Sequence, residues 1–253
     1  MASNLAAKYE QKTDIPDKRT LRREIKQRLS SLKEEEIYKQ SASARDALLS
    51  LPEFEQAKRI SIFMSMPGRE ISTAEIVDHA LESGKQVFVP YIYRSATKGE
   101  SVMDMLLLRS MEDRESLKPD KWGIPSLDEQ SVGERENCFG GKGLTDGAPP
   151  TEEGKGLDVV VMPGMAFDRD FNRLGHGKAY YDTFIERCCI DGRRKPFLDP
   201  GTGLMTDEAK TETVGLALAE QILPKGYRLP TEQWDWPVDA VVVGDGTVTR
   251  AQK

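Results

Sequence analysis

The run LDVVVMPG at residues 157–164 constrains the fold more than any other stretch of the chain. Val159, Val160, Val161 and Met162 follow one another with no polar alternation, which is the pattern of a strand covered on both faces, as in a parallel sheet. The run passes directly into a glycine-punctuated loop, FDRDFNRLGHGK (167–178), and then into a helical stretch, AYYDTFIERCC (179–189). Further apolar runs read as strands: RISIFMSM (59–66), KQVFVPYIY (85–93), SVMDMLLLRS (101–110), TVGLALA (213–219) and VDAVVVG (238–244). Between the first two of these lies STAEIVDHALES (72–83). Ser72 with Glu75 three residues later predicts a capping box, and Gly84 predicts the C-terminal cap. Strand, helix, strand in that order predicts a parallel pair with a right-handed crossover.

The sequence therefore predicts an α/β fold: a mostly parallel, Rossmann-like open sheet flanked by helices on both faces. Residues 17–51 predict N-terminal helices. Leu21, Ile25, Leu29 and Leu32 form one apolar stripe, and a second helix carries Ile37, Ala44, Ala47 and Leu48, ending before Pro52. Two stretches predict flexible insertions, at 131–156, which is rich in glycine and proline, and at 191–212. Strands continue after each, so residues 1–253 are expected to form a single domain.

Charge and composition narrow the function. Thirty-six Lys and Arg against 42 Asp and Glu give a net charge of -6 and a pI near 5.2, which argues against a nucleic-acid partner, including an RNA-binding role for the cations of residues 18–28. Three cysteines and two distant histidines, His79 and His176, form neither a disulfide framework nor a zinc-ligand spacing. No apolar stretch approaches the ~20 residues that cross a bilayer. The opening MASNLAAKYEQKTDIP has neither the apolar run of a signal peptide nor the acid-poor character of a transit peptide. The expectation is a cytoplasmic monomer without a membrane partner.

The chemistry concentrates in PGMAFDRDFNRLGHGKAYYD (163–182). In open α/β sheets ligands bind outside the carboxyl ends of strands, and this loop leaves such an end. Gly175 and Gly177 let the backbone approach a ligand, Arg173 and Lys178 bring full charges, and a helix N-terminus follows, which together describe a phosphate cradle. Solvated charges on a tight turn are the plainer alternative. The loop is not a Walker A sequence, since Asn172 stands where its first glycine belongs and Ala179 where its Ser or Thr belongs. Asp182 either stabilises the helix N-terminus or holds Mg²⁺ beside phosphate oxygens. Asp239, at the start of the last strand, is either solvated or the second carboxylate.

The string 163–182 resembles the signature of the 5-formyltetrahydrofolate cyclo-ligase family, P-G-x-(A/G)-F-D followed by R-L-G-x-G-K-G-Y-Y-D. Lys18-Arg19-Thr20-Leu21-Arg22, Glu70 after the first strand, Met103-Asp104-Met105 and Trp122-Gly123-Ile124-Pro125 match further family elements in order, over roughly residues 17–244. The resemblance implies a ligase of one-carbon metabolism that converts 5-formyltetrahydrofolate and ATP to 5,10-methenyltetrahydrofolate, ADP and phosphate, with Mg²⁺ as cofactor. It implies ATP contacts at Lys18, Arg19, Thr20, Leu21 and Arg22, and at Arg173, Leu174, Gly175, His176, Gly177, Lys178, Ala179, Tyr180 and Tyr181. Lys178, Arg173 and Arg22 carry the catalytic charges; Met64, Glu70, Trp122 and Tyr180 surround the folate; Asp182 and Asp239 hold the magnesium.

Taken singly, Lys18 and Arg22 would be a solvated helix face, Met64 and Tyr180 core residues, and Glu70 part of a turn. Trp122, an aromatic among polar neighbours, is the least ordinary of the set. Three positions depart from the pattern. His176 stands where several relatives carry Arg, Ala179 where the pattern has Gly, and Tyr91 where some relatives place Arg. Ala179 crowds the loop only if that position has positive φ. These departures leave a second reading open, a non-catalytic folate- or nucleotide-binding regulator that retains the pocket.

Overall fold

The computed structural model describes residues 16–97, 99–148, 156–190, 193–194, 196–198 and 205–251. Two helices open it, α1 (Lys18–Leu29) and α2 (Glu34–Leu49). Asp17 caps α1 by accepting from the amides of Arg19 and Thr20, and Leu21, Ile25 and Leu29 turn one apolar stripe into the core. A short helix α3 (Pro52–Gln56) leads to β1 (Arg59–Ile62), α4 (Ala74–Glu82), β2 (Gln86–Arg94) and β3 (Ser101–Leu108). Then follow α5 (Met111–Glu115), β4 (Val159–Met162), α6 (Tyr180–Cys188), β5 (Glu212–Ala217), β6 (Ala240–Val243) and β7 (Val248–Arg250).

The seven strands form one sheet in the order β7-β6-β5-β4-β1-β2-β3. Five strands, β6 to β2, are mutually parallel, and β7 and β3 run antiparallel at the edges. Strands β1, β4, β5 and β6 are buried along their whole length, as the unbroken apolar runs of β4 and β6 require, and β1 and β5 bury Arg59, Ser61, Glu212 and Thr213 as well. The crossover through α4 moves from β1 to β2, whereas the one through α6 moves from β4 to β5 in the opposite direction. Right-handed connections that run opposite ways place their helices on opposite faces. The direction therefore switches between β1 and β4, and the crevice outside their carboxyl ends is where such a sheet receives ligands.

Two sequence expectations need correction. The helix at 72–83 begins one residue later than the capping box implies. Thr73 is the N-cap, and its hydroxyl donates to the Phe63 carbonyl at 2.7 Å instead of capping the helix. Gly84, at φ +75°, closes the helix as expected. The stretch 131–156 is not a flexible insertion over its first eighteen residues. Val132, Arg135, Asn137, Cys138 and Phe139 are buried, and the backbone of 136–138 bonds to the edge strand β3. Phe139 stacks on Phe184 of α6 with ring centroids 5.1 Å apart, and Arg187 covers the Phe139 ring at 4.6 Å. Arg187 also pairs at 2.8 Å with Asp104, which takes the Thr145 amide at 2.7 Å. Glycines and prolines here shape a packed edge cover, a function that composition alone does not reveal. Residues 149–155 lie outside the described ones. Of the second expected insertion, 191–212, Arg193–Arg194 pairs antiparallel with Cys189–Ile190 just before it, Pro196–Leu198 pairs with Met205–Lys210, and Thr211 leads into β5; residues 191–192, 195 and 199–204 lie outside the described ones.

Because Phe139 joins the edge cover to α6, Phe139→Ala should destabilise the protein by about 3–5 kcal/mol. Urea unfolding checks this. A change under about 0.5 kcal/mol would show that the segment adds nothing to the core.

Candidate active site

Past β4 the chain leaves the sheet at Pro163 and folds into a small hairpin, Ala166–Phe167 paired with Arg173–Leu174. Asp168 organises its tip. One carboxylate oxygen accepts from the amides of Asp170 and Asn172, and the other accepts from the Leu229 amide at 2.8 Å. The Phe167 ring fills the space above Gly164 and Gly215, where an added Cβ would lie 2.6 and 2.5 Å from the ring. Those two glycines are required by the wedge, not by their backbone angles.

The hairpin sets Arg173 in place. Its guanidinium is 4% exposed and pairs with Asp182 at 2.8 Å, beside the Pro163 carbonyl at 3.4 Å and 5.6 Å above the Tyr181 ring. The other Asp182 oxygen accepts from the Trp236 amide at 3.3 Å. From α1, Arg22 donates through Nε to the Gly175 carbonyl at 2.7 Å, and its guanidinium lies against Gly177, whose φ is +92°. One turn earlier, Lys18 pairs with Asp235 at 2.5 Å. The result is a cleft of about 140 Å³ lined by Lys18, Arg22, Arg173, Asp182, Asp235 and Trp234, with Gly175, Gly177, Ala179 and the buried Leu174 forming its wall.

The other half of the crevice lies beyond β1. Met64 is buried there, and the Glu70 carboxylate accepts from the Met66 amide at 2.6 Å. Burial pushes Glu70 up to about 7 against the pull of that amide. The turn carrying Trp122 meets the same loop, because a Cβ on Gly123 would lie 3.6 Å from Pro67. Trp122 itself is 60% exposed, with the Lys121 ammonium 4.2 Å above its ring.

The structure thus brings together Lys18, Arg22, Arg173, the glycines and Asp182. Helical spacing separates the other residues of the N-terminal motif. Positions 18 and 22 share a face, whereas Leu21 enters the core, Thr20 bonds to Asp17 and Arg19 is exposed. His176 and Lys178 are exposed on the loop and do not line the cleft, and Tyr180 packs half-buried against the core. Partial desolvation and the charges of Arg173, Arg22 and Lys26 hold His176 below its ordinary value. Burial raises the phenol of Tyr181.

Asp239 is not brought to Asp182. It precedes β6, and its carboxylate accepts from the amide and hydroxyl of Thr213 at 2.9 and 2.8 Å, so it joins strand starts rather than lining the cleft. The carboxylate that lines the cleft together with Asp182 is Asp235. Sequence reasoning missed both Asp235 and Trp234, although the aromatic-rich stretch TEQWDWP (231–237) is as unusual for a loop as Trp122. Among the described residues, no three His, Cys, Asp or Glu side chains cluster in a metal-binding arrangement.

Fold and cleft define an α/β protein with a cation-lined crevice at the point where its strand order reverses. Comparison with known proteins makes the class specific: the chain belongs to the 5-formyltetrahydrofolate cyclo-ligase family, whose sequence model matches residues 14–244. It is 35% identical over 229 residues to a mouse 5-formyltetrahydrofolate cyclo-ligase, covering 90% of this chain and 94% of that one. A probable 5-formyltetrahydrofolate cyclo-ligase of Schizosaccharomyces pombe is 30% identical over 233 residues, covering 91% and 97%. Among solved structures, a 5,10-methenyltetrahydrofolate synthetase of Aquifex aeolicus matches with a TM-score of 0.60 and 26% identity over 93% of both chains.

Two predictions follow from the local geometry. Ala179 has φ +53°, so the methyl sits in the left-handed region that costs an L-residue roughly 1–2 kcal/mol. Ala179→Gly relieves that strain but frees the unfolded chain by about 0.4–1 kcal/mol, and a net gain of about 0.5–1 kcal/mol is expected in thermal unfolding. A loss of stability would mean that the methyl contributes packing.

Glu70 makes a pH prediction. A raised carboxyl contributes stability that is present below its ordinary value of 4.5 and is lost as pH rises through about 7. Glu70→Gln cannot ionise, so it should gain on the wild type across that window and hold a constant advantage above it. Urea midpoints that keep one separation at every pH would refute the burial of this charge.

Proposed function

We propose that this chain closes 5-formyltetrahydrofolate to 5,10-methenyltetrahydrofolate at the expense of ATP, releasing ADP and phosphate. The observation that carries the reading is the convergence of Lys18, Arg22 and Arg173 on one glycine-walled cleft at the carboxyl edge of the sheet. A formamide oxygen is a poor leaving group. Transfer of the γ-phosphoryl group of ATP to that oxygen frees ADP and creates a phosphorylated imidate. The neighbouring folate nitrogen then attacks the activated carbon, the ring closes and phosphate departs. Such chemistry asks the protein for alignment and charge neutralisation.

Arg22 and Arg173, held by the Gly175 carbonyl and by Asp182, present fixed cations to the phosphates. Lys178 is exposed beside them, and its flexible stem lets the ammonium follow the transferring group. Met64, Glu70 and Trp122 frame the folate side of the crevice. Asp182 and Asp235 both face the cleft, and their hard oxygens fit a magnesium ion shared with phosphate oxygens. Magnesium bound there supplies charge neutralisation to the phosphoryl group in transfer. No helix among the described residues is long and apolar enough to cross a membrane, and we assign the activity to the cytoplasm.

The test is the absorbance rise of the methenyl product with and without ATP. Lys178→Ala should lower kcat/KM by roughly 30- to 1,000-fold, equivalent to about 2–4 kcal/mol of transition-state stabilisation. Its melting temperature should not change, because the side chain is exposed. A variant retaining more than half of the wild-type activity would remove Lys178 from the reaction. Binding of both substrates by the wild type without ADP release would instead identify a non-catalytic regulator.

A further inference from the structure

We propose that Trp234 is the platform on which the purine base of the nucleotide stacks, so that this cleft selects ATP over bare polyphosphate. The inference rests on the ATP reading of the cleft and deepens it. Trp234 is 56% exposed, yet it is held in a fixed place. Residues 232–235 form a tight turn in which the Asp235 amide donates to the Glu232 carbonyl at 3.0 Å and the Glu232 amide donates to the Asp235 carboxylate at 2.8 Å. The same carboxylate carries the Lys18 ammonium at 2.5 Å. One residue further on, the Trp236 amide donates to Asp182 and its ring packs against the core. Trp234 is therefore clamped on both sides while its indole lines the cleft.

A solvent-facing tryptophan on an anchored turn beside three cations has a definite chemistry. The cations Lys18, Arg22 and Arg173 and the backbone of Gly175 and Gly177 suit phosphates and give no hold on a base. A flat aromatic face at the rim suits the ring that trails from those phosphates, because every base presents a π-face and stacking needs no hydrogen-bond code. The other exposed tryptophan, Trp122, belongs to the β1 side with Met64 and Glu70, and its ring is already covered by Lys121. Trp234 shares its turn with Asp235 and its cleft with Arg22 and Arg173, which assigns it to the nucleotide rather than to the folate.

The experiment measures dissociation constants of ATP and of inorganic tripolyphosphate by calorimetry, at one magnesium concentration, for the wild type, Trp234→Ala and Trp234→Phe. The alanine variant should bind ATP roughly 5- to 100-fold more weakly, the range that one lost base stack produces. Its tripolyphosphate affinity should not change, which also reports an intact fold and phosphate site. Phenylalanine should restore most of the ATP affinity. Unchanged ATP binding by Trp234→Ala would overturn the proposal while leaving the ATP reading in place. Equal losses for ATP and tripolyphosphate would overturn it too, by showing that the residue shapes the phosphate region. A wild type that binds tripolyphosphate but gains nothing from the base would refute the stack directly, and one that binds neither would overturn both readings.

Discussion

The architecture of the site depends on one buried cation. A guanidinium taken out of water needs a counter-charge and hydrogen-bond acceptors, and removing a partner from such a pair is strongly destabilising. Arg173 meets most of this demand with Asp182, the Pro163 carbonyl and the Tyr181 ring, while its Nε lies buried without a hydrogen-bond partner. Arg173 and its partners come from three parts of the chain: Pro163 from just past the end of β4, Arg173 itself from the returning arm of the hairpin, and Tyr181 and Asp182 from the first turn of α6. Satisfying one side chain therefore fixes the loop, the helix start and, through the Trp236 amide on Asp182, the turn that completes the cleft. The Arg173 cation is thus oriented before any ligand arrives, which is the arrangement that leaves little ordering to be done on binding.

Much of this was legible in the sequence because the signals were local. Unbroken apolar runs gave the central strands, and the switch to a helical period after glycine gave the two crossovers. The stripe of Leu21, Ile25 and Leu29 gave the inner face of α1, and the same period explains why Lys18 and Arg22 reach the cleft together. The family likeness supplied the roles, and the structure brings Arg22, Arg173, Gly175 and Gly177 to one cleft.

What escaped the sequence was nonlocal. Asp239 and Asp235 lie four residues apart, and nothing in their spacing says which one faces the loop. That is decided by Thr213, which engages Asp239, and by Lys18, which engages Asp235. The stretch after 131 reads as loose by composition, yet Phe139 and Arg187 pack it onto α6, a contact between residues 48 apart or nearby that no window captures. Nothing local marks Gly164 and Gly215 as obligatory; the Phe167 ring that requires them comes from the hairpin. The Ser72 capping signal failed for a similar reason: Thr73 bonds to Phe63 across the start of the helix, and that tertiary bond overrides the local motif.

The pairing of Lys18 with Asp235 joins residues 217 positions apart, and Arg28 reaches Glu220 across 192. Contacts this long in sequence carry a timing. A chain made from its N-terminus cannot build the cleft until the turn at 232–235 has left the ribosome, however early α1 and β1 form. Until then the strongly basic face of α1 stands open without its acidic partner. Ligand affinity in this fold is thus a late-arriving property, and a chain interrupted before Asp235 would present the phosphate loop without the turn that closes it.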